Sequence, residues 1–223
     1  MIKAVIFDMY ETLITLFNSR LYKGRQIAQE MGIDEKEFRK IWDPSKDDRT
    51  VGSRTFEDVI REILDANGIF DQVLFDTIVS KRFRYTAEAF RHKRTDIIPM
   101  LEKLKEKGIR TGLITNCFFE ERDAIKECDL YPFFDAVCMS CDLKIKKPDP
   151  KIFDICIEKL GVEPCECLYV GDGGSNELEA ARKAGMKPLQ AVWYLKDGVG
   201  QPCGRLEGFD QAEEPMDVIK FAG

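Results

Sequence analysis

Hydrophobic and polar positions change their period along the chain, and the changes divide it into three stretches. Ile2 to Phe7 is short, β-branched and aromatic, the pattern of a strand buried on both faces. From about Asn18 to Phe90 the period is helical and charged. It runs through LYKGRQIAQEMG, then DEKEFRKIWD with Asp34 and Glu37 spaced as a capping box, then TFEDVIREILDANG ending at Gly68, then a long amphipathic run. No strand signal interrupts it. From Asp96 helix and strand patterns alternate: DIIPMLEKLKEKG, IRTGLIT, a helix around EERDAIKEC, AVCMS, PKIFDICIEKLG, CLYVG, NELEAARKAG and PLQAVWYL. Beyond Leu195 the pattern supports no more than a final strand and helix.

This order predicts an α/β fold: one doubly wound parallel sheet whose first strand lies at the N-terminus, with a helical insertion just after that strand's loop. The core is expected over residues 1–16 and 92–223 and the helical lobe over 17–91. The lobe should cover the strand ends, with linkers soon after Thr15 and near His92 to Asp96.

Polar residues stand where the strands end. Asp8 follows VIF, Thr115 and Asn116 follow GLI, Lys144, Lys146 and Lys147 come shortly after VCMS, and Asp172 follows LYVG. Strand ends on one edge of a parallel sheet converge, and ligands bind there. Two carboxylates, a hydroxyl and an ammonium at one edge suit a phosphoryl group bound with Mg²⁺, which relieves the repulsion between Asp8 and Asp172. Singly, each residue also reads as a helix cap, a turn or solvated surface.

Composition narrows the classes. The 223 residues carry 34 basic and 40 acidic side chains, a net charge of −6, well mixed. That gives no reason to expect a nucleic-acid or membrane partner. No leader or bilayer-length apolar run is evident, so a cytoplasmic protein is expected. Of eight cysteines, Cys138/Cys141 and Cys165/Cys167 are close enough to suggest a metal knot. Several lie in apolar stretches, however, where reduced thiols behave as small hydrophobes. The single histidine, His92, sits in RHKR and reads as solvated surface. GDGGS is not the G-x-G-x-x-G of a dinucleotide site, and no G-x-S-x-G elbow is present.

The residues at the strand ends, in this order, resemble the haloacid dehalogenase (HAD) superfamily. FDMYETL corresponds to its first motif, LITN to its second, KKPDPKIF to its third and VGDGGSNELEAARKAGM to its fourth. The resemblance implies a HAD-like Rossmannoid core with an α-helical cap. It also implies Asp8 as nucleophile, a Tyr10 backbone carbonyl on Mg²⁺, Thr115 on the transferred group, Asn116 beside it, Lys147 neutralising nucleophile and phosphate, and Asp172 as metal ligand. Glu177 stands where many members have a second, outer-shell aspartate.

Two departures matter. Tyr10 occupies the place where the family's phosphatases usually carry a general acid/base aspartate, and tyrosine there resembles the dehalogenases proper. Those enzymes dispense with metal and hold a substrate carboxylate with an arginine, for which Arg20, Arg25 and Arg39 are available. Asp172 argues the other way. Glu11 replaces a usual glycine. The expected activity is Mg²⁺-dependent phosphomonoester hydrolysis through an aspartyl-phosphate on a small phosphorylated substrate. The alternatives are dehalogenase-type hydrolysis of a halogenated one, or a member with weak or lost activity. Substrate identity and oligomeric state are not legible.

Overall fold

A computed structural model describes residues 1–223. Six parallel strands form one sheet in the order β3-β2-β1-β4-β5-β6: β1 Ala4–Phe7, β2 Arg110–Thr115, β3 Ala136–Met139, β4 Cys167–Gly171, β5 Lys187–Ala191 and β6 Asp210–Ala212. The order reverses between β1 and β4, so the crevice of a doubly wound sheet opens between the ends of those two strands. Asp8 and Asp172 directly follow them.

Helices α1 to α5 (Gly24–Met31, Glu35–Trp42, Lys46–Thr50, Phe56–Ala66, Gln72–Ala89) lie between β1 and β2 in sequence. Seven more follow: α6 Ile97–Glu106, α7 Phe119–Glu127, α8 Ser140–Leu143, α9 Pro150–Leu160, α10 Glu177–Lys183, α11 Trp193–Lys196 and α12 Asp217–Ala222. Side chains alternate across β1. Val5 and Phe7 join the core formed with α6, α7 and α12, while Ala4 and Ile6 join the core formed with α9 and α10. A third core, with Phe38, Phe56, Ile60 and Phe75, is built from α1, α2, α4 and α5 together with Tyr22 just before them.

The capping box predicted at Asp34 and Glu37 forms differently. Asp34 accepts from Lys36 N at 2.9 Å, whereas Glu37 is drawn to Lys40 at 2.6 Å. A reciprocal box does form at α4, between Thr55 and Asp58. The predicted strand PLQAVWYL stops at Ala191, and Trp193–Lys196 turns into a helix. The reason is anchoring: Trp193 Nε1 donates to Thr12 O at 2.9 Å and Tyr194 Oη to Leu13 O at 3.2 Å, so both rings brace the loop after β1.

His92 is half-buried rather than solvated. It shares a hydrogen bond of 2.7 Å with Ser19 Oγ, and its carbonyl accepts from Thr15 N at 2.9 Å, so the two linkers lie side by side. The four paired cysteines do not converge on a metal. Cys138 packs with Cys156 and Cys167 on one sheet face, Cys141 joins the core of the other, and Cys165 is exposed. No helix is long and apolar enough to cross a membrane.

The helical lobe meets the core at the carboxyl ends of β2 and β3. Ser140 Oγ donates to Thr50 O at 2.7 Å and accepts from Cys117 N at 2.9 Å. Lys146 pairs with Asp47 at 2.5 Å, and Arg82 with Glu120 at 3.0 Å. Gly52 has φ +66°, and a Cβ there would stand 2.2 Å from Cys141 O, so only glycine lets the lobe approach this closely. Ser140→Ala strands two buried backbone groups. It should cost about 1–3 kcal/mol in urea unfolding, as a shift in midpoint with unchanged slope.

Candidate active site

Asp8 leaves β1 at the crevice, 6 % exposed. Lys147 reaches it from the loop after α8, with Nζ 2.5 Å from Asp8 Oδ1 and 2.5 Å from Glu177 Oε2. Asn116 holds that loop in place, accepting from Lys147 N at 2.7 Å and donating to Lys147 O at 3.1 Å. Glu177, on the first turn of α10, also accepts from Tyr169 Oη at 2.8 Å and from Gly173 N at 3.2 Å. A Cβ on Gly171 would fall 2.1 Å from Glu177 Oε1, so the bare backbone there makes room for this carboxylate. Asp172 Oδ1 accepts from Gly174 N at 2.8 Å, while its Oδ2 is buried with no partner.

Thus the structure brings Asp8, Asn116, Lys147, Asp172 and Glu177 together around a cradle of about 130 Å³, which Tyr10 and Ser175 also border. Thr115 is fully buried and does not border the cradle. Its Oγ1 has no hydrogen-bond partner. The Tyr10 ring packs edge-on against Phe90, with centroids 6.0 Å apart.

Three carboxylates face one ammonium here. Burial, then the charge of Glu177, pushes the Asp8 carboxyl up to about 7 despite Lys147. Burial, then Asp8, does the same to Asp172, also to about 7. Burial raises Glu177 as well. Desolvation works against the charged form of Lys147, but Asp8 and Glu177 outweigh it and hold the ammonium protonated.

One carboxylate oxygen from each of Asp8, Asp172 and Glu177 lies within 4.8 Å of the others. An all-oxygen donor set with excess negative charge and an orphaned Asp172 oxygen fits a hard divalent cation.

A family profile described as haloacid dehalogenase-like hydrolase matches residues 2–185. The chain belongs to the haloacid dehalogenase-like hydrolases. The matched span runs from β1 past α10 and contains every cradle residue named above. A glyceraldehyde 3-phosphate phosphatase of Methanopyrus kandleri is 28 % identical over 197 residues, 83 % of this chain and 82 % of that one. A HAD phosphatase from Thermococcus onnurineus superposes with a TM-score of 0.66 at 24 % identity, covering 100 % and 98 % of the two chains. A 2-haloacid dehalogenase from Pseudomonas syringae pv. Tomato superposes with a TM-score of 0.69 at 22 % identity, covering 99 % and 97 %. These likenesses show the fold shared by hydrolases of both chemistries, so the side chains must separate the two.

The glycine usual at position 11 has a backbone reason. Glu11 has φ +52°, in the left-handed region that costs a non-glycine residue about 1–2 kcal/mol. Its side chain offsets this by accepting from Leu16 N at 2.7 Å. Of the three arginines, Arg20 borders a cavity of about 660 Å³ between lobe and core, whereas Arg25 and Arg39 pair with Glu35 on the surface. Pattern reading missed Ser175, Trp193, Tyr194, Gln201 and Pro202. None carries a charge, and Trp193 and Tyr194 show only the apolar run of a strand.

The raised acids set a sign. Between their ordinary value of 3.8 and about 7 the metal-free fold binds more protons than the unfolded chain, so its stability falls as pH rises through that window. A divalent cation removes the penalty above it. Mg²⁺, used as the probe, should therefore raise Tm more at about pH 8 than at about pH 5. An equal rise at both would contradict the site.

Proposed function

We propose that this hydrolase is a Mg²⁺-dependent phosphomonoesterase that works through Asp8. The observation that carries the proposal is the acidic trio around a single lysine. A site releasing halide without metal gains nothing from Asp172, whose free oxygen is costly unless a cation takes it. The Methanopyrus kandleri phosphatase relative supports the same reading.

Asp8 attacks phosphorus, the bond to the leaving oxygen breaks, and that oxygen takes up a proton. Water then hydrolyses the acyl phosphate and restores the carboxylate. Lys147 favours the ionised form of Asp8 against burial and the charge of Glu177 and fixes its direction, and Glu177 and Asn116 hold Lys147. Thr115, buried outside the cradle with its Oγ1 unpartnered, makes no contact with the phosphoryl group in this reading. When bound by Asp8, Asp172 and the Tyr10 carbonyl, with Glu177 behind them, the cation would offset the charge of the phosphoryl group. In this reading residues 17–91 act as a cap that closes over the core of 1–16 and 92–223 and excludes water. Eight reduced thiols suit a cytoplasmic enzyme.

Tyr10 is the observation that favours halide release, since a halide leaves without protonation. Burial, then Glu121, keeps its phenol protonated far above neutral, so it cannot act as a base at working pH. Aryl phosphates should therefore turn over faster than alkyl phosphates. Tyr10→Asp should raise the alkyl rate within the roughly 10²–10⁴-fold range of a positioned acid/base. The assay is phosphate release from p-nitrophenyl phosphate and a hexose phosphate. Asp8→Asn should abolish turnover of both in a folded protein, and EDTA should do the same to the wild type. Metal-independent halide release from a haloacid would overturn the reading.

A further inference from the structure

Only Tyr10 and Pro202 border both the acidic cradle and the 660 Å³ cavity beneath the helical lobe. Tyr10 comes from the loop after β1. Pro202 comes from residues 197–209, a stretch without helix or strand between α11 and β6.

That stretch is bound to the site at several points. Gln201 Nε2 donates to Glu11 O at 3.0 Å and to Ala191 O at 3.1 Å. Gln190, at the end of β5, accepts from Leu206 N at 2.8 Å and donates both to Gly204 O at 2.8 Å and to Asp172 O at 3.0 Å. Gly200 lies so close to Phe17 of the first linker that a Cβ would stand 2.9 Å from its ring. Gly173, beside Asp172, is as close to Leu206, at 2.6 Å from a built Cβ to Cδ1. The segment therefore runs like a strap over both acidic loops, held by the same residues that shape them.

Resting on the phosphatase reading, we infer that Pro202 and the Tyr10 ring form the neck between cradle and cavity, and that Pro202 thereby determines which alcohols the enzyme releases. In a monoester whose phosphorus faces Asp8 for in-line attack the ester oxygen lies opposite Asp8 and points out of the cradle, and the cavity with Leu16, Phe90 and Arg20 is the larger and more apolar space beside it. A second opening of about 560 Å³, lined by Lys46, Lys146 and Asn176, is polar and suits water and phosphate. Pro202 has no N–H to offer and a fixed φ, so it discriminates by shape alone. The atoms it meets first are those next to the ester oxygen. An unbranched carbon there passes the neck, and a branched carbon collides with it.

The test uses two isomers of equal charge and composition, glycerol 1-phosphate and glycerol 2-phosphate, with Mg²⁺ present. The wild type should favour the unbranched 1-isomer in kcat/KM. Pro202→Ala should shrink that preference about tenfold, the scale of one methylene in a fitted pocket, and Pro202→Leu should enlarge it. A role confined to holding the strap would move both variants the same way, and an unmoved ratio would send the leaving group to the opening near Lys46. Either result overturns the inference. Turnover of p-nitrophenyl phosphate by the wild type reports on the phosphatase reading separately. If no ester is hydrolysed, calorimetry of the two isomers on the Mg²⁺-loaded proteins still decides. A 1-isomer preference relaxed by Pro202→Ala supports the neck, and equal affinities refute it.

Discussion

The constraint on which the site depends is charge: Asp8, Asp172 and Glu177 are buried around one ammonium, Lys147. Burying a carboxylate is costly unless it is paired, and one lysine cannot pair three. Much of the surrounding structure serves to hold this arrangement. Asn116 fixes the lysine's backbone, Tyr169 and Gly173 bind Glu177, and Gly174 binds one oxygen of Asp172, leaving the other free. The sheet supplies the geometry, because the strand order reverses between β1 and β4 and so sets the two aspartates on either side of one crevice.

The contacts at β2 and β3 show how the helical lobe is joined to the core. Ser140, Gly52, Lys146 and Arg82 each join lobe to core close to the loops that carry Asn116 and Lys147. Position of the lobe and position of the lysine are therefore coupled through one set of loops. On the opposite side Trp193, Tyr194 and Gln201 brace the loop after β1. The loop that carries Asp8 is thus anchored through backbone carbonyls of Glu11, Thr12 and Leu13.

Much of this was legible in the sequence, for physical reasons. Parallel strands buried on both faces give continuous apolar runs, and the polar residues just past those runs pointed to Asp8, Thr115, Asn116, Asp172 and three lysines, of which the family resemblance singled out Lys147. Glu177 was named only through the resemblance to the family's fourth motif. What escaped was set by tertiary contact. Trp193 and Tyr194 continue an apolar run but turn into a helix because their polar tips reach the loop after β1. His92 lies in a basic run yet pairs with Ser19 across the linkers. Glu37 obeys the capping-box spacing, but Lys40 competes for it. Gln201 and Pro202 sit in a stretch with no period at all, so only the fold reveals where they point.

The central claim is that Asp8 takes the phosphoryl group. Acid quenching of the Mg²⁺-loaded enzyme during turnover of p-nitrophenyl phosphate, followed by peptide mass spectrometry, tests it directly. The account predicts a phosphoryl group on the peptide that contains Asp8, absent when EDTA is added before substrate and absent from Asp8→Asn. Steady release of phosphate with Asp8 unmodified, or undiminished release by Asp8→Asn, would contradict it.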